Sequence, residues 1–204
     1  MGTMAEVQHV SDLATPQDYE VLKRLSVGKK CVFEFGSFVG GSALAMLPQI
    51  RDANGCLFCV DHFMGNEDDT ATKQVAREPM ISTLLLRTAE FKDSLTVIVA
   101  DTSVLAWLVK PSIADMVFID ASHSYRAVAQ DIEIANRLIK SGGIVCGHDY
   151  VQHYEDCDPD LVRIYSETPS GGDGGVSYGV IRAVHEAYDR PNHEAAVWWV
   201  EVNK

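Results

Sequence analysis

Residues 115–150 constrain the fold of this chain more than any other stretch. They read DMVFIDASHSYRAVAQDIEIANRLIKSGGIVCGHDY. An apolar run ends in Asp120, and a helical pattern follows over residues 124–140. Gly142-Gly143 closes that pattern, and a second apolar run ends in His148-Asp149. The pattern predicts a strand, a helix and a second strand, with acidic or imidazole groups at the strand ends. In open parallel sheets the ligand sits outside the carboxyl ends of the strands. A site at Asp120, His148 and Asp149 is therefore expected from the pattern alone.

The same grammar runs through the rest of the chain. Thr15-Pro16-Gln17-Asp18 is a helix start, with Thr as cap, Pro at the first helical position and an acid three residues after the cap. Tyr19, Leu22 and Leu25 give that helix its apolar stripe, Gly28 ends it, and it is expected to cover one edge of the sheet. Strands are expected at residues 31–35, 56–60, 95–100, 116–119 and 144–146. Residues 42–50, 72–93 (restarting at Pro79), 104–109, 124–140 and 177–188 read as helices. Residues 195–202, with Trp198-Trp199, read as a closing strand. The strands are nearly continuous in apolar character, as parallel strands buried on both faces are. Strands alternating with helices give an α/β fold, a Rossmann-like, doubly wound, mostly parallel sheet. One domain over residues 31–204 is expected, preceded by an N-terminal helix segment over 1–30. Residues 151–176 lack periodicity and are expected to form a lid-like loop beside the site.

Composition narrows the function. The chain has 204 residues, 47% of them hydrophobic, and a formal net charge of -12. That charge repels phosphate backbones and anionic membranes, so neither nucleic acid nor a membrane is an expected partner. No apolar run reaches the roughly 20 residues of a membrane span, and the first ten residues lack the features of a secretory signal. Five scattered cysteines, Cys31, Cys56, Cys59, Cys146 and Cys157, fit reduced thiols in a cytoplasmic protein. Strand alternation points Cys56 and Cys59 to opposite faces, which argues for packing over a zinc site.

Between the first strand and the next helix stands Glu34-Phe35-Gly36-Ser37-Phe38-Val39-Gly40-Gly41-Ser42. A glycine-rich turn there lets a ligand approach the backbone and meet free N–H groups at the positive helix end. By itself it is equally a tight βα turn. Asp61, an acid at the end of the second strand, is the group that ribose hydroxyls require in a nucleoside site.

These residues resemble the first motif, E-x-G-x-x-x-G-x-S, of class I S-adenosylmethionine-dependent methyltransferases. Phe118-Ile119-Asp120-Ala121-Ser122-His123-Ser124-Tyr125, Gly142-Gly143 and Gly147-His148-Asp149-Tyr150 resemble one branch of that class. It includes natural-product and sugar O-methyltransferases and cephalosporin hydroxylase-like proteins. Gly179-Val180, Ala183-Val184 and the terminal tryptophans are similar to its usual ending. The resemblance implies S-adenosylmethionine as cofactor, with Glu34, Gly36, Ser37, Gly40 and Ser42 around its methionine part. It places Asp61 on the ribose, His62 near the adenosine, and Asp101 and Thr102 beside the adenine. It implies Asp120 and Asp149 as metal ligands. His148 departs from the group's acidic or amide residue, and an imidazole suits Zn, Fe, Ni or Cu over Mg²⁺. The class ends in a two-strand hairpin, which the few residues after His193 would shorten.

Methyl transfer from a sulfonium needs an aligned acceptor that is losing its proton. A divalent metal, Mg²⁺ by the hardness of two carboxylates, would orient and acidify acceptor hydroxyls. Asp120, His123 and His148 are the expected catalytic groups, with His123 as general base or further ligand. Asp120, His148 and Asp149 are the expected metal set. Each has a bland alternative: a helix cap for Asp120, structural or positioning roles for His123 and His148, and a wall for Tyr125 and Tyr150. His153, His185 and His193 are given no role. The expected partner is a small-molecule acceptor, with a homodimer as an open assembly. Two rivals stand beside a metal-assisted O-methyltransferase. An NAD-dependent Rossmann oxidoreductase would want glycine where Phe38 stands. The other rival is a degenerate, non-catalytic S-adenosylmethionine-binding protein.

Overall fold

The structure, a computed structural model, describes residues 14–65, 77–168 and 175–204. Its elements are α1 (Pro16–Ser26), β1 (Cys31–Phe35), α2 (Gly41–Asp52), β2 (Cys56–Asp61), α3 (Arg77–Arg87), β3 (Leu95–Val99), α4 (Leu105–Leu108), β4 (Ala114–Ile119), α5 (Tyr125–Leu138), β5 (Ile139–Gly147), α6 (Pro159–Tyr165), α7 (Tyr178–Tyr188), β6 (Asn192–Glu194) and β7 (Val197–Val202). They build a seven-stranded sheet of order β3-β2-β1-β4-β5-β7-β6. The pairs β1–β2, β1–β4, β2–β3 and β4–β5 are parallel, while β7 runs antiparallel to β5 and β6. The doubly wound α/β expectation holds.

Alternation along the strands feeds two cores. Phe33, Phe35, Val117, Ile119 and Val145 point to the face covered by α5 and α7. Val32, Leu57, Met116, Phe118 and Cys146 point to the face covered by α1 and α2. Successive residues of β4 thus alternate between the two cores, which explains its unbroken apolar run. The strand order reverses between β1 and β4, where the loops after these strands part to opposite faces and leave a crevice. No described helix is long and apolar enough to cross a membrane.

The structure adds detail to some expectations and changes others. Helix α5 stops at Leu138, and Gly142-Gly143 lie inside β5 rather than ending the helix. Ile139 is already extended because it pairs with Ala114. Gly142, at φ 76°, takes up the register shift before Ile144 pairs with Met116. The closing hairpin has both strands; it is short because β6 has only three residues. Residues 151–168 are not a bare loop. Asp158 caps α6 through the backbone N–H of Asp160, Pro159 opens it, and Val162 is buried. This is the same cap-and-proline start as in α1, and no described residue of 151–176 lines the crevice. Residues 169–174, the glycine-rich end of that expected lid, lie outside the described residues, as do 66–76.

Candidate active site

The crevice at the β1–β4 switch point is a cavity of about 310 Å³, within the usual range for small-molecule sites. One wall is the β1–α2 turn. Gly36 adopts φ 82°, and a Cβ there would stand 2.1 Å from the Asp120 carbonyl oxygen. Only glycine lets the turn pass so close to the end of β4. Gly40, at φ 83°, is the left-handed residue that starts α2, and a Cβ would press on Leu84.

The turn is held from below and from the side. Glu34 is fully buried, and its carboxyl accepts hydrogen bonds from Ser37 Oγ (2.8 Å), Ser42 Oγ (2.5 Å) and Cys59 Sγ (3.0 Å). Burial pushes the Glu34 carboxyl up to about 7, although these three donors oppose the rise. Asp61 Oδ2 accepts the backbone N–H groups of Ser37 (2.8 Å) and Phe38 (2.9 Å), and Oδ1 accepts that of Phe63 (2.6 Å). Phe38 and Phe63 both sit at positive φ, 44° and 55°. Such strain in non-glycine residues collects where a site over-determines the backbone.

Glu34 gives a pH prediction. Its folded pKa of about 7 lies above the ordinary 4.5. Between those values the unfolded chain releases a proton that the folded chain keeps, so stability falls as pH rises from 4.5 to 7. Melting curves of wild type and Glu34→Gln across that window should show the difference moving steadily in favour of the variant. A constant difference would rule the assignment out.

The other wall carries the charged groups. Asp120 follows β4, His123 lies on the turn into α5, and His148-Asp149 follow β5. The His123 turn is locked from behind: Tyr125 N donates to Ser166 O (2.6 Å), and a Cβ on Gly179 would stand 2.2 Å from the His123 carbonyl oxygen. Asp149 has φ 62°, an uncommon conformation that aspartate tolerates better than most residues. Its Oδ2 lies 2.9 Å from His123 Nε2 and 3.5 Å from His148 Nδ1. His148 Nδ1 also faces Asp120 Oδ1 at 3.9 Å, and Nε2 lies 3.3 Å from Asp18 Oδ2.

These neighbours set the charges. Burial alone would raise the Asp149 pKa, but His123 and His148 hold it well below the carboxylate range. Burial alone would lower the histidine pKa values. Contact with Asp149 and Asp120 raises that of His123, and Asp120, Asp149 and Asp18 together raise that of His148. Asp120 is raised, by burial first, with Asp149 and Asp18 adding to it.

Most of the expected site residues do come together. Gly36, Ser37, Ser42, Asp61 and His62 line the cavity on the β1–β2 side, with Asp101 and Thr102 after β3. Asp120, His123, His148 and Asp149 line the other end. Glu34 and Gly40 do not line it: Glu34 lies under the turn, and Gly40 contributes its backbone conformation. The expected metal set also regroups. Among the described residues at the site, donor atoms of Asp120, His123 and Asp149 lie within 4.8 Å of one another, and His148 is not part of this group. His148 is enclosed instead by the carboxylates of Asp18, Asp120 and Asp149.

Two further acids belong to the site. Asp18, the acid three residues after the Thr15 cap, is 1% exposed and abuts His148. Asp131 lines the cavity and accepts a hydrogen bond from Thr102 Oγ1 (2.6 Å), while burial pushes its carboxyl up to about 6. The signal for Asp131 was in the sequence: it lies on the inward stripe of α5 with Val128 and Ala135, where an unexplained acid is costly.

Fold and cavity define an α/β protein with a ligand crevice at the β1–β4 switch point, and comparison with known proteins narrows it. A family profile described as "Methyltransferase domain" matches residues 33–150, more than half of the chain. The chain belongs to this methyltransferase family. No curated protein matches it in sequence. Among solved structures, the cofactor-bound protein Rv0187 from MTB is similar, with TM-score 0.66 and 15% identity over 98% of this chain and 88% of that one. The O-methyltransferase TomG from Streptomyces achromogenes, involved in tomaymycin synthesis and solved with SAM, gives TM-score 0.62 at 15% identity over 100% and 92% of the two chains. An O-methyltransferase family protein from Burkholderia thailandensis gives 0.59 at 14% identity, over 92% of this chain and 55% of that one. At these identities the three establish the shared fold.

Proposed function

We propose that this protein transfers a methyl group from S-adenosylmethionine to a hydroxyl oxygen of a small molecule or sugar. The observation that carries the proposal is that one cavity holds both a nucleoside cradle and a histidine–carboxylate cluster. The cradle is the 36–42 turn, with Asp61 and Asp101 facing the places of ribose and adenine. The positive end of α2 opens onto the cavity through Gly41 and Ser42 and suits the methionine carboxylate. Asp120, His123 and Asp149 stand at the opposite end of the same cavity, where the acceptor would meet the methyl group.

The residues then divide the work. Asp149 orients His123 by binding its Nε2, which leaves Nδ1 to take the acceptor's proton as oxygen attacks the methyl carbon. The methyl–sulfur bond breaks as the oxygen–methyl bond forms, and the neutral thioether S-adenosylhomocysteine leaves with that bond's electron pair. Asp120 adds negative charge beside His123 and favours the imidazolium formed. In place of this base role, His123 would join Asp120 and Asp149 as a donor set of two carboxylates and one imidazole, which suits a divalent ion that takes both oxygen and nitrogen ligands, such as Mn²⁺, Fe²⁺ or Zn²⁺, better than Mg²⁺. When bound, such an ion supplies positive charge that lowers the pKa of a hydroxyl on it.

Calorimetry tests the cofactor: S-adenosylmethionine and S-adenosylhomocysteine are expected to bind and NAD⁺ not to. Binding of NAD⁺ alone would sink the proposal. Turnover on panels of catechols and sugars, with and without chelator, tests the rest. Loss of at least about tenfold on chelation is expected for a metal-assisted transfer, and full activity in chelator would restrict catalysis to the side chains.

A further inference from the structure

We propose that Asp18, on the N-terminal helix, is a positioning residue for the transfer site and acts through His148. The inference builds on the proposed methyl transfer, but its geometry does not depend on it. Asp18 is 1% exposed, far more buried than a capping acid on a surface helix needs to be. Its carboxylate has no freedom to turn. Oδ1 accepts the backbone N–H of Ala196 at 2.9 Å, in the turn between β6 and β7. Oδ2 accepts the backbone N–H and the hydroxyl of Thr15, each at 2.7 Å. The remaining approach to Oδ2 is taken by His148 Nε2 at 3.3 Å.

That charge aligns the imidazole. His148 Nε2 is buried and makes no hydrogen bond among the described residues; the Asp18 carboxylate at 3.3 Å is the charge that faces it. Its Nδ1 faces Asp149 and Asp120, so a ring turned with Nε2 to Asp18 presents Nδ1 to the two acids. Asp149 in turn holds His123 at 2.9 Å. A chain of charged contacts therefore runs from the first turn of α1 through His148 to Asp149 and His123. Without Asp18, His148 keeps a buried donor facing nothing and can rotate, so Asp149 loses one of the two contacts that aim it. Tyr19 on α1, and Ala14 just before the helix cap, also line the cavity.

The test pairs Asp18→Asn with Thr15→Ala, which removes the hydroxyl donor but keeps the backbone N–H groups of Thr15 and Ala196 on an Asp18 carboxylate that stays beside His148. Thr15→Ala is expected to lower Tm by about 2–4 °C and to keep kcat. Asp18→Asn is expected to lower kcat by roughly 10- to 100-fold with S-adenosylmethionine affinity within about twofold. It should add no further loss in a His148→Gln background. Imidazole NMR gives a readout independent of turnover: the His148 resonances should move in Asp18→Asn and stay in place in Thr15→Ala. Equal kcat losses in the two variants, or unmoved His148 resonances in Asp18→Asn, would overturn the role. If Asp18→Asn does not fold, Asp18→Glu, which keeps the charge and displaces it by one methylene, carries the same comparison. If wild type binds cofactor but methylates no acceptor, the proposed function fails, while the imidazole comparison still decides the role of Asp18.

Discussion

Asp149→Asn should cut methyl transfer by roughly 10³-fold while leaving the fold in place. The size follows from what the carboxylate does: it lies 2.9 Å from His123 Nε2 and 3.5 Å from His148 Nδ1. Removing the charge on a carboxylate that orients a general base costs on the order of 10³–10⁴ in rate where it has been measured. The amide keeps the shape, and asparagine accepts the φ of 62° at this position as readily as aspartate. Backbone strain is therefore not the source of the loss. The measurement is kcat beside Tm and S-adenosylmethionine affinity. Affinity is expected within about threefold, because the cofactor cradle lies at the other end of the cavity. A variant that keeps a tenth or more of wild-type kcat would remove Asp149 from the mechanism.

The second large effect falls on Gly36→Ala. A methyl group there would stand 2.1 Å from the Asp120 carbonyl oxygen and 2.7 Å from Ala121 Cα, at a φ of 82°. Both neighbours are backbone, so neither can rotate away. The left-handed conformation costs an L-residue about 1–2 kcal/mol, and relieving the clash by parting β1 from β4 adds to it. A total on the order of 3 kcal/mol corresponds to a Tm lower by about 6–12 °C in a chain of this size. Cofactor affinity should fall with it, since the turn would move out of reach of the Asp61 carboxylate. A Tm unchanged within 2 °C, on the order of 1 kcal/mol or less, would mean that the turn is looser than this geometry requires. Gly28, where a Cβ would meet nothing within 4 Å, serves as the control for left-handed strain alone.

Much of this was legible in the residues because it rests on local rules. The alternating apolar runs gave the parallel sheet, and the acids at strand ends gave the site, since topology brings those ends together whatever the loops do. What the sequence hid were contacts between distant elements. The Asp18–His148 pair spans most of the chain, and nothing in a capping box shows that its acid also faces a histidine. The regrouping of the metal set has the same origin. His148 and Asp149 are adjacent in sequence, yet the backbone reversal at Asp149 sends one side chain toward α1 and the other toward His123. The start of β5 at Ile139 was hidden because Gly142-Gly143 signals a helix end by local rules, while pairing with Ala114 decides the outcome. The Asp158-Pro159 start of α6 follows the same cap rule as α1, but the residues around it lack the periodicity that would mark a helix.

Family and helix do not coincide. The stretch shared with the methyltransferase family runs from residue 33 to 150 and holds the nucleoside cradle, Asp120, His123 and Asp149. Helix α1 and the β6–β7 turn, which together anchor Asp18, lie outside it. Asp18 therefore fastens three parts of the chain at one buried charge: the start of α1 through Thr15, the closing hairpin through the Ala196 N–H, and the end of β5 through His148.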